Sequence, residues 1–241
     1  MVRKAKQKTP AISVVIPAYN EEELLLPLLQ SLREQTYRDF EVIVIDNNST
    51  DKTATVARHF HARVITEYKQ GYVHALNRGI KDARGTILAI TDADSLPDAD
   101  WLMAIADSFK DPEVIALTGH AKFDINSAIL RYMSEYAYLF FTRLNFLIGK
   151  PHTAGFNLAF KRAYSKKIGI LDPAYHIGAD VYMGLALKKH GKVIFSKKAI
   201  VKTSSRRWQK EAVKSFSQYS AAYLYTVWFH RPAPIKLLAI R

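Results

Sequence analysis

Two carboxylates one residue apart, Asp92 and Asp94, follow the short apolar run Thr86–Ile90 in the stretch Thr91-Asp92-Ala93-Asp94-Ser95. Acids this close repel each other unless a cation or a ligand lies between them. Hard oxygen ligands of this kind suit Mg2+ or Mn2+, which keeps part of its water and bridges substrate phosphates. Two more apolar runs end in acids and amides. Ile12–Ile16 leads into Pro17-Ala18-Tyr19-Asn20-Glu21-Glu22, and Glu41–Ile45 into Asp46-Asn47-Asn48-Ser49-Thr50-Asp51. A plainer role competes here: Asn20, Ser49 and Thr50 are good helix N-caps, and Asp51 suits a first helical turn. Further on, Asp180 stands at the start of a helical pattern after Gly178-Ala179, with Asp172 as a fallback acid. Arg206 and Arg207, next to Trp208, could grip a phosphate in bidentate fashion. His152 and His176 read first as surface or internally satisfied histidines, and second as a metal ligand or acceptor contact.

Short β-branched runs alternate with helical patterns and so place these residues. Ile12–Ile16, Glu41–Ile45, Arg63–Thr66, Thr86–Ile90 and Val114–Leu117 read as buried strands. Glu21–Gln35, Thr53–Phe60, Tyr72–Ala83 and Ala99–Phe109 read as helices, with Pro27 expected to break the first and Gly85 to stop the third. Repeated β-α-β units imply an α/β fold with a mostly parallel central sheet flanked by helices. In such sheets the ligand lies beyond the carboxyl ends of the strands, where the acids stand. In the second half, Ser127–Ile148, Val181–His190 and Glu211–Trp228 read as helices, and Phe156–Arg162 and Val193–Phe195 as strands. The expected organisation is one domain over residues 10–205, a basic tail over 1–9, and a basic aromatic helix or tail over 206–241.

The 241 residues are 49% hydrophobic and 24% charged, which excludes wholesale disorder. The absence of cysteine excludes disulfides, zinc-thiolate sites and a cysteine nucleophile, and fits a reducing compartment. Of the net charge of +13, residues 1–9 carry +4 and residues 202–241 carry +7, so the middle of the chain is nearly neutral. A nucleic-acid-binding module should spread its charge over a face or groove, so these basic ends argue against one. They suit an anionic surface instead.

Ile-Pro-Ala-Tyr-Asn-Glu-Glu, Asp-Asn-Asn-Ser-Thr-Asp and Asp-Ala-Asp, in that order on successive strand ends, resemble a family 2 glycosyltransferase with the GT-A, Rossmann-like fold. Thr153–Arg162 and Gly178-Ala179-Asp180 extend the resemblance, which covers about residues 11–205. It implies a nucleotide-diphospho-sugar donor, inversion at the anomeric carbon and Mn2+ or Mg2+ as cofactor. Pro17, Ala18 and Tyr19 would line the nucleoside pocket, with Glu21 beside it. Asp46 would accept from the base, uracil N3–H for a UDP-linked donor. Asp92 and Ala93 would approach the ribose or the metal, and Asp94 would bind the metal. Asp180 would be the general base, and Gly155, Asn157, Arg206, Arg207 and Trp208 would meet the acceptor or phosphate. Three departures stand out: Ala179 replaces the usual Glu before the base, Asn47-Asn48 follows Asp46, and Ser204 replaces the Gln of the processive Gln-x-x-Arg-Trp motif. A nucleotidyltransferase would also place acids on such a rim, but would favour a glycine-rich basic loop after the first strand.

Aromatic residues crowd Ser127–Ile148 and Tyr219–Phe229, the second flanked by Lys210, Lys214 and Arg231. Aromatics with basic neighbours suit a membrane interface. The expected partners are therefore a nucleotide-sugar donor, a glycan or lipid-linked acceptor and an anionic membrane, with no nucleic acid. No signal peptide or spanning segment is apparent, so the expected location is cytoplasmic and peripheral on the inner face of the cell membrane.

Overall fold

The computed structural model describes residues 9–206 and 217–234. Its strands are β1 Ile12–Ala18, β2 Phe40–Asp46, β3 Arg63–Thr66, β4 Ile87–Ile90, β5 Ser95–Pro97, β6 Val114–Asp124, β7 Leu158–Lys161 and β8 Lys192–Ser204. They form one sheet in the order β3-β2-β1-β4-β7-β6-β8-β5. The β3-β2-β1-β4 half is parallel. β7 runs antiparallel between β4 and β6, β6 and β8 are parallel, and β5 is an antiparallel edge on β8. The helices are α1 Glu22–Arg33, α2 Thr53–His59, α3 Tyr72–Asp82, α4 Trp101–Ser108, α5 Ala128–Leu147, α6 Ser165–Ile168 and α7 Ala179–Lys188.

Every residue of β1 is buried, because both faces of the sheet are covered. Ile12, Val14 and Ile16 pack with Leu25, Leu28, Leu29 and Leu32 of α1, while Val15 packs with Val73, Ala75 and Leu76 of α3. Pro27 does not break α1, contrary to its sequence signal. It lies on the exposed side, where the carbonyl it leaves unbonded faces water. The four buried leucines outweigh its penalty: each contributes about 1.5–3 kcal/mol, against about 3 kcal/mol for the proline. Gly85 does not stop α3, which ends at Asp82. Its requirement is close approach: a Cβ there would lie 2.5 Å from the Ser13 backbone nitrogen, and its N–H donates to Ser13 Oγ at 2.7 Å.

β6 and β8 extend well beyond the apolar cores visible in sequence, each with polar residues on its outer stretch. β5 was not anticipated. At the C-terminal end, residues 217–224 are helical and Tyr225–Phe229 forms a wide π turn. Ala222, Thr226 and Val227 are buried, and Lys150 Nζ donates to the Val227 carbonyl at 3.2 Å. The earlier part of the expected Glu211–Trp228 helix lies outside the described residues. Among the described residues no helix is long and apolar enough to cross a membrane.

Candidate functional site

The carboxyl ends of β1, β2 and β4 are adjacent, so the three acid-rich loops meet on one rim. The first two loops cap each other in trans. Ser49 Oγ accepts from Asn20 N–H, Thr53 Oγ1 from Glu21 N–H and Asp51 Oδ2 from Glu22 N–H, at 2.9–3.1 Å. In return Asn20 Oδ1 accepts from Thr50 N–H at 2.8 Å and Glu22 Oε2 from Lys52 N–H at 2.7 Å. The helix starts are thus served largely from the neighbouring loop, with Asp51 Oδ1 also accepting from Thr53 N–H at 2.9 Å within its own. Burial tends to raise the Asp51 carboxyl; hydrogen bonds from Thr53 and Glu22 outweigh it and hold its pKa below the ordinary value.

Pro17 and Ala18 end β1 beside Ile45 and Asp46 of β2, with Tyr19 just beyond. Asp46 is buried, and its Oδ1 accepts from Ser49 N–H at 3.1 Å. Asn47 has a defined task. Its Nδ2 donates to the carbonyls of Glu67 and Lys69, and its Oδ1 accepts from Gly71 N–H at 2.7 Å. The amide thereby fixes the loop that delivers Tyr72 to the start of α3.

After β4, Ala93 packs into the core, and Asp92 and Asp94 face different neighbours. Asp92 Oδ1 is shielded from solvent without a hydrogen-bond partner among the described residues. Burial, then the charges of Asp94 and Asp180, push Asp92 up to about 8, opposed by a hydrogen bond from Tyr72. Asp94 Oδ2 lies 3.1 Å from Arg206 Nη2, which also lies 3.4 and 3.5 Å from the two Glu21 oxygens. Burial raises Glu21 above its ordinary pKa, with Arg206 opposing. One guanidinium thus satisfies two acids at the position where a cation suits this rim. No group of three or more His, Asp or Glu residues able to hold a metal occurs among the described residues. The shielded, unpartnered Asp92 Oδ1 and the Asp94 carboxylate are hard oxygen donors, a set that suits a Mn2+ or Mg2+ taking its other ligands from substrate phosphates and water.

Asp180 stands in the first turn of α7 and is not its N-cap. Its Oδ2 accepts from Gly155 N–H at 2.8 Å and its Oδ1 from Val181 N–H at 2.9 Å. Burial raises its pKa above the ordinary value against these two hydrogen bonds. Asp172, the fallback, is exposed in a turn and accepts from Ala174 N–H.

Asn157 is a correction. It is fully buried, accepting from Trp101 Nε1 at 2.9 Å and donating to the His120 and Ala199 carbonyls. Those bonds tie α4, β6 and β8 together and leave no amide for an acceptor. His152 stands apart from the acids, ringed by Tyr138, Phe141 and Tyr223, and burial pushes it down to about 4. His176 is exposed. Arg207 and Trp208 lie outside the described residues. Tyr72 was not anticipated: its sequence position signals only a helix start, and nothing in the spacing links residue 72 to 92 or 155.

A profile described as "Glycosyl transferase family 2" matches residues 13–169. The chain belongs to glycosyltransferase family 2. It is 31% identical over 183 residues to a poly-beta-1,6-N-acetyl-D-glucosamine synthase of Staphylococcus epidermidis, covering 71% of this chain and 44% of that protein. It is 40% identical over 101 residues to glycosyltransferase AglE of Haloferax volcanii, covering 39% and 33% respectively. The chain thus spans less than half of these curated relatives. The GT-A fold is shared with the mannosyltransferase PcManGT from Pyrobaculum calidifontis, solved with GDP-Man and Mn2+: TM-score 0.70, 23% identity, 95% of this chain and 67% of that one. It is also shared with glucosyl-3-phosphoglycerate synthase from Mycobacterium tuberculosis, solved with Mn2+, UDP and phosphoglyceric acid: TM-score 0.65, 19% identity, 91% and 79%.

Proposed function

We propose that this family 2 member is an inverting glycosyltransferase. It transfers a sugar from a UDP-linked donor to a hydroxyl of a lipid-linked glycan or surface-polysaccharide precursor. The observation that carries the reading is Asp180, a shielded carboxylate of raised pKa beside the Asp92–Asp94 rim. The acceptor hydroxyl needs a carboxylate within about 2.6–3.2 Å to take its proton as it attacks, and a base whose pKa approaches the working pH does this best. Gly155 and Val181 N–H groups hold Asp180 in place for that role. On the donor side Asp46 accepts from the base, and Pro17, Ala18, Tyr19 and Glu21 border the nucleoside. Asp94 would hold a divalent ion, which when bound would supply Lewis-acid stabilisation of the departing diphosphate. Arg206 reaches the same rim and offers its guanidinium to phosphate oxygens. Displacement in one step needs no enzyme nucleophile. Isothermal titration with UDP, GDP, CMP and dTDP, each with and without Mn2+, tests the donor. UDP binding that requires Mn2+ is expected. Binding of another nucleotide alone would discard the uracil reading, and binding of none would discard the donor site.

The membrane reading rests on α5, whose amphipathicity is inverted. Its buried side chains are the polar Thr142 and Asn145. Its outward stripe is Ile129, Met133, Tyr136, Phe140, Leu144 and Leu147, with Leu147 83% and Ile129 73% exposed. These recur at helical spacing and include no acid. Trp228 and Phe229 are also exposed, close to Lys150 and Arg231. Such a surface lies at a bilayer interface, where a lipid-linked acceptor resides. The expected result is sedimentation with vesicles containing phosphatidylglycerol, lost in Phe140→Asp with Leu147→Asp. Concentration-dependent dimerisation without vesicle binding would assign the stripe to a second copy instead.

A further inference from the structure

We infer that Tyr72 is a positioning residue that sets Asp92 against Asp180 across the floor of the site. Tyr72 is 37% exposed, but its hydroxyl is turned inward beside Gly155 and Asp180, and it lowers the pKa of the buried Asp92 against the effect of burial. The same hydroxyl presses on Gly155. A Cβ added at Gly155 would lie 2.8 Å from Tyr72 Oη, against 3.6 Å from Asp180 Cβ and 3.7 Å from Asp180 Oδ2. Gly155 N–H in turn holds Asp180 at 2.8 Å. One phenol therefore touches the donor-side acid and the glycine that orients the base. This accounts for glycine at position 155: a Cβ there would make only ordinary contacts with Asp180 but would crowd the Tyr72 hydroxyl, which would have to shift. It also accounts for Asn47, whose three hydrogen bonds fix the loop immediately before Tyr72. The inference rests on the donor-site reading for what Asp92 does, and on the geometry alone for the contact with Gly155.

Tyr72→Phe keeps the ring and removes the hydroxyl. Titration of UDP in the presence of Mn2+ should show about tenfold weaker binding, the loss typical of a hydrogen bond to a charged group. Asp92→Asn should also weaken binding, and adding Tyr72→Phe to Asp92→Asn should weaken it no further. Additive losses, or unchanged UDP affinity in Tyr72→Phe, overturn the inference. The contact with Gly155 has its own readout. Gly155→Ala should lower the melting temperature and turnover, and Tyr72→Phe should restore part of both, because it removes the one atom that crowds the new methyl. Equal losses with and without the hydroxyl overturn the inference too. A wild-type protein that binds none of the nucleotides overturns the donor reading, while the Gly155→Ala pair still decides whether the hydroxyl and the glycine are coupled.

Discussion

Asp180→Asn is expected to bind UDP with Mn2+ as tightly as the wild type and to turn over about 10²- to 10⁴-fold more slowly, the range a general base supplies. The substitution is nearly isosteric. The Asn carbonyl can still accept from Gly155 N–H, so the α7 start and its link to the 155 turn survive. What goes is the proton acceptor. The pH profile supplies a second check. Burial raises the Asp180 pKa, and only the ionised form takes a proton. Turnover should therefore rise with pH through that raised pKa and level off above it, and the Asn variant should lack that limb. Equal turnover in the variant and the wild type would remove Asp180 from the mechanism.

Much of the donor half was legible because its signals are local. An apolar β-branched run followed by acids and amides specifies both a buried parallel strand and a loop at its carboxyl end. β1, β2, β3 and β4 accordingly fall where their runs predict. The second half was harder for physical reasons. β6 and β8 pair over ten positions with two irregularities, so apolar residues cease to mark their ends. α5 buries Thr142 and Asn145 while leaving large apolar residues exposed, and its pattern alone does not say which face meets the core. The same limit applies within the site. Asn157 resembles an acceptor contact in a Gly-Phe-Asn string, but three partners distant in sequence consume its amide. Tyr72 and Arg206 reach the acids from 20 and 112 residues away in sequence, measured to Asp92 and Asp94, and only tertiary structure brings them there.

The trans-capped loops satisfy helix-start donors without drawing on Asp92 or Asp94. Each donor at the starts of α1 and α2 that Asn20, Ser49, Asp51, Thr53 or Glu22 satisfies is one that Asp92 and Asp94 need not serve, while the Asp46 side chain accepts only from Ser49 N–H among the described backbone groups. The loop backbones are held from both sides. Asp92 sits shielded beside two other carboxylates, with its pKa pushed up to about 8.

Asp94→Ala should abolish the Mn2+-dependent rise in melting temperature that UDP gives the wild type, by removing the metal's protein ligand. Ligand binding to the folded state raises the midpoint by mass action, so the loss reads binding directly, without an activity assay. Turnover should fall by roughly three orders of magnitude, since a Lewis acid on the leaving diphosphate contributes several kcal/mol. The fold should hold, because Arg206 keeps its contacts with Glu21 at 3.4 and 3.5 Å when Asp94 is gone. Those contacts also define the competing outcome. A guanidinium between Glu21 and Asp94 could supply the positive charge for the diphosphate by itself. In that case EDTA would leave wild-type turnover intact, UDP would bind equally well with and without Mn2+, and Arg206→Gln would be the damaging substitution. In the metal-dependent reading EDTA and Asp94→Ala both remove turnover. Arg206→Gln then weakens UDP binding while leaving its dependence on Mn2+ in place, so the two readings differ in which variant loses the metal response.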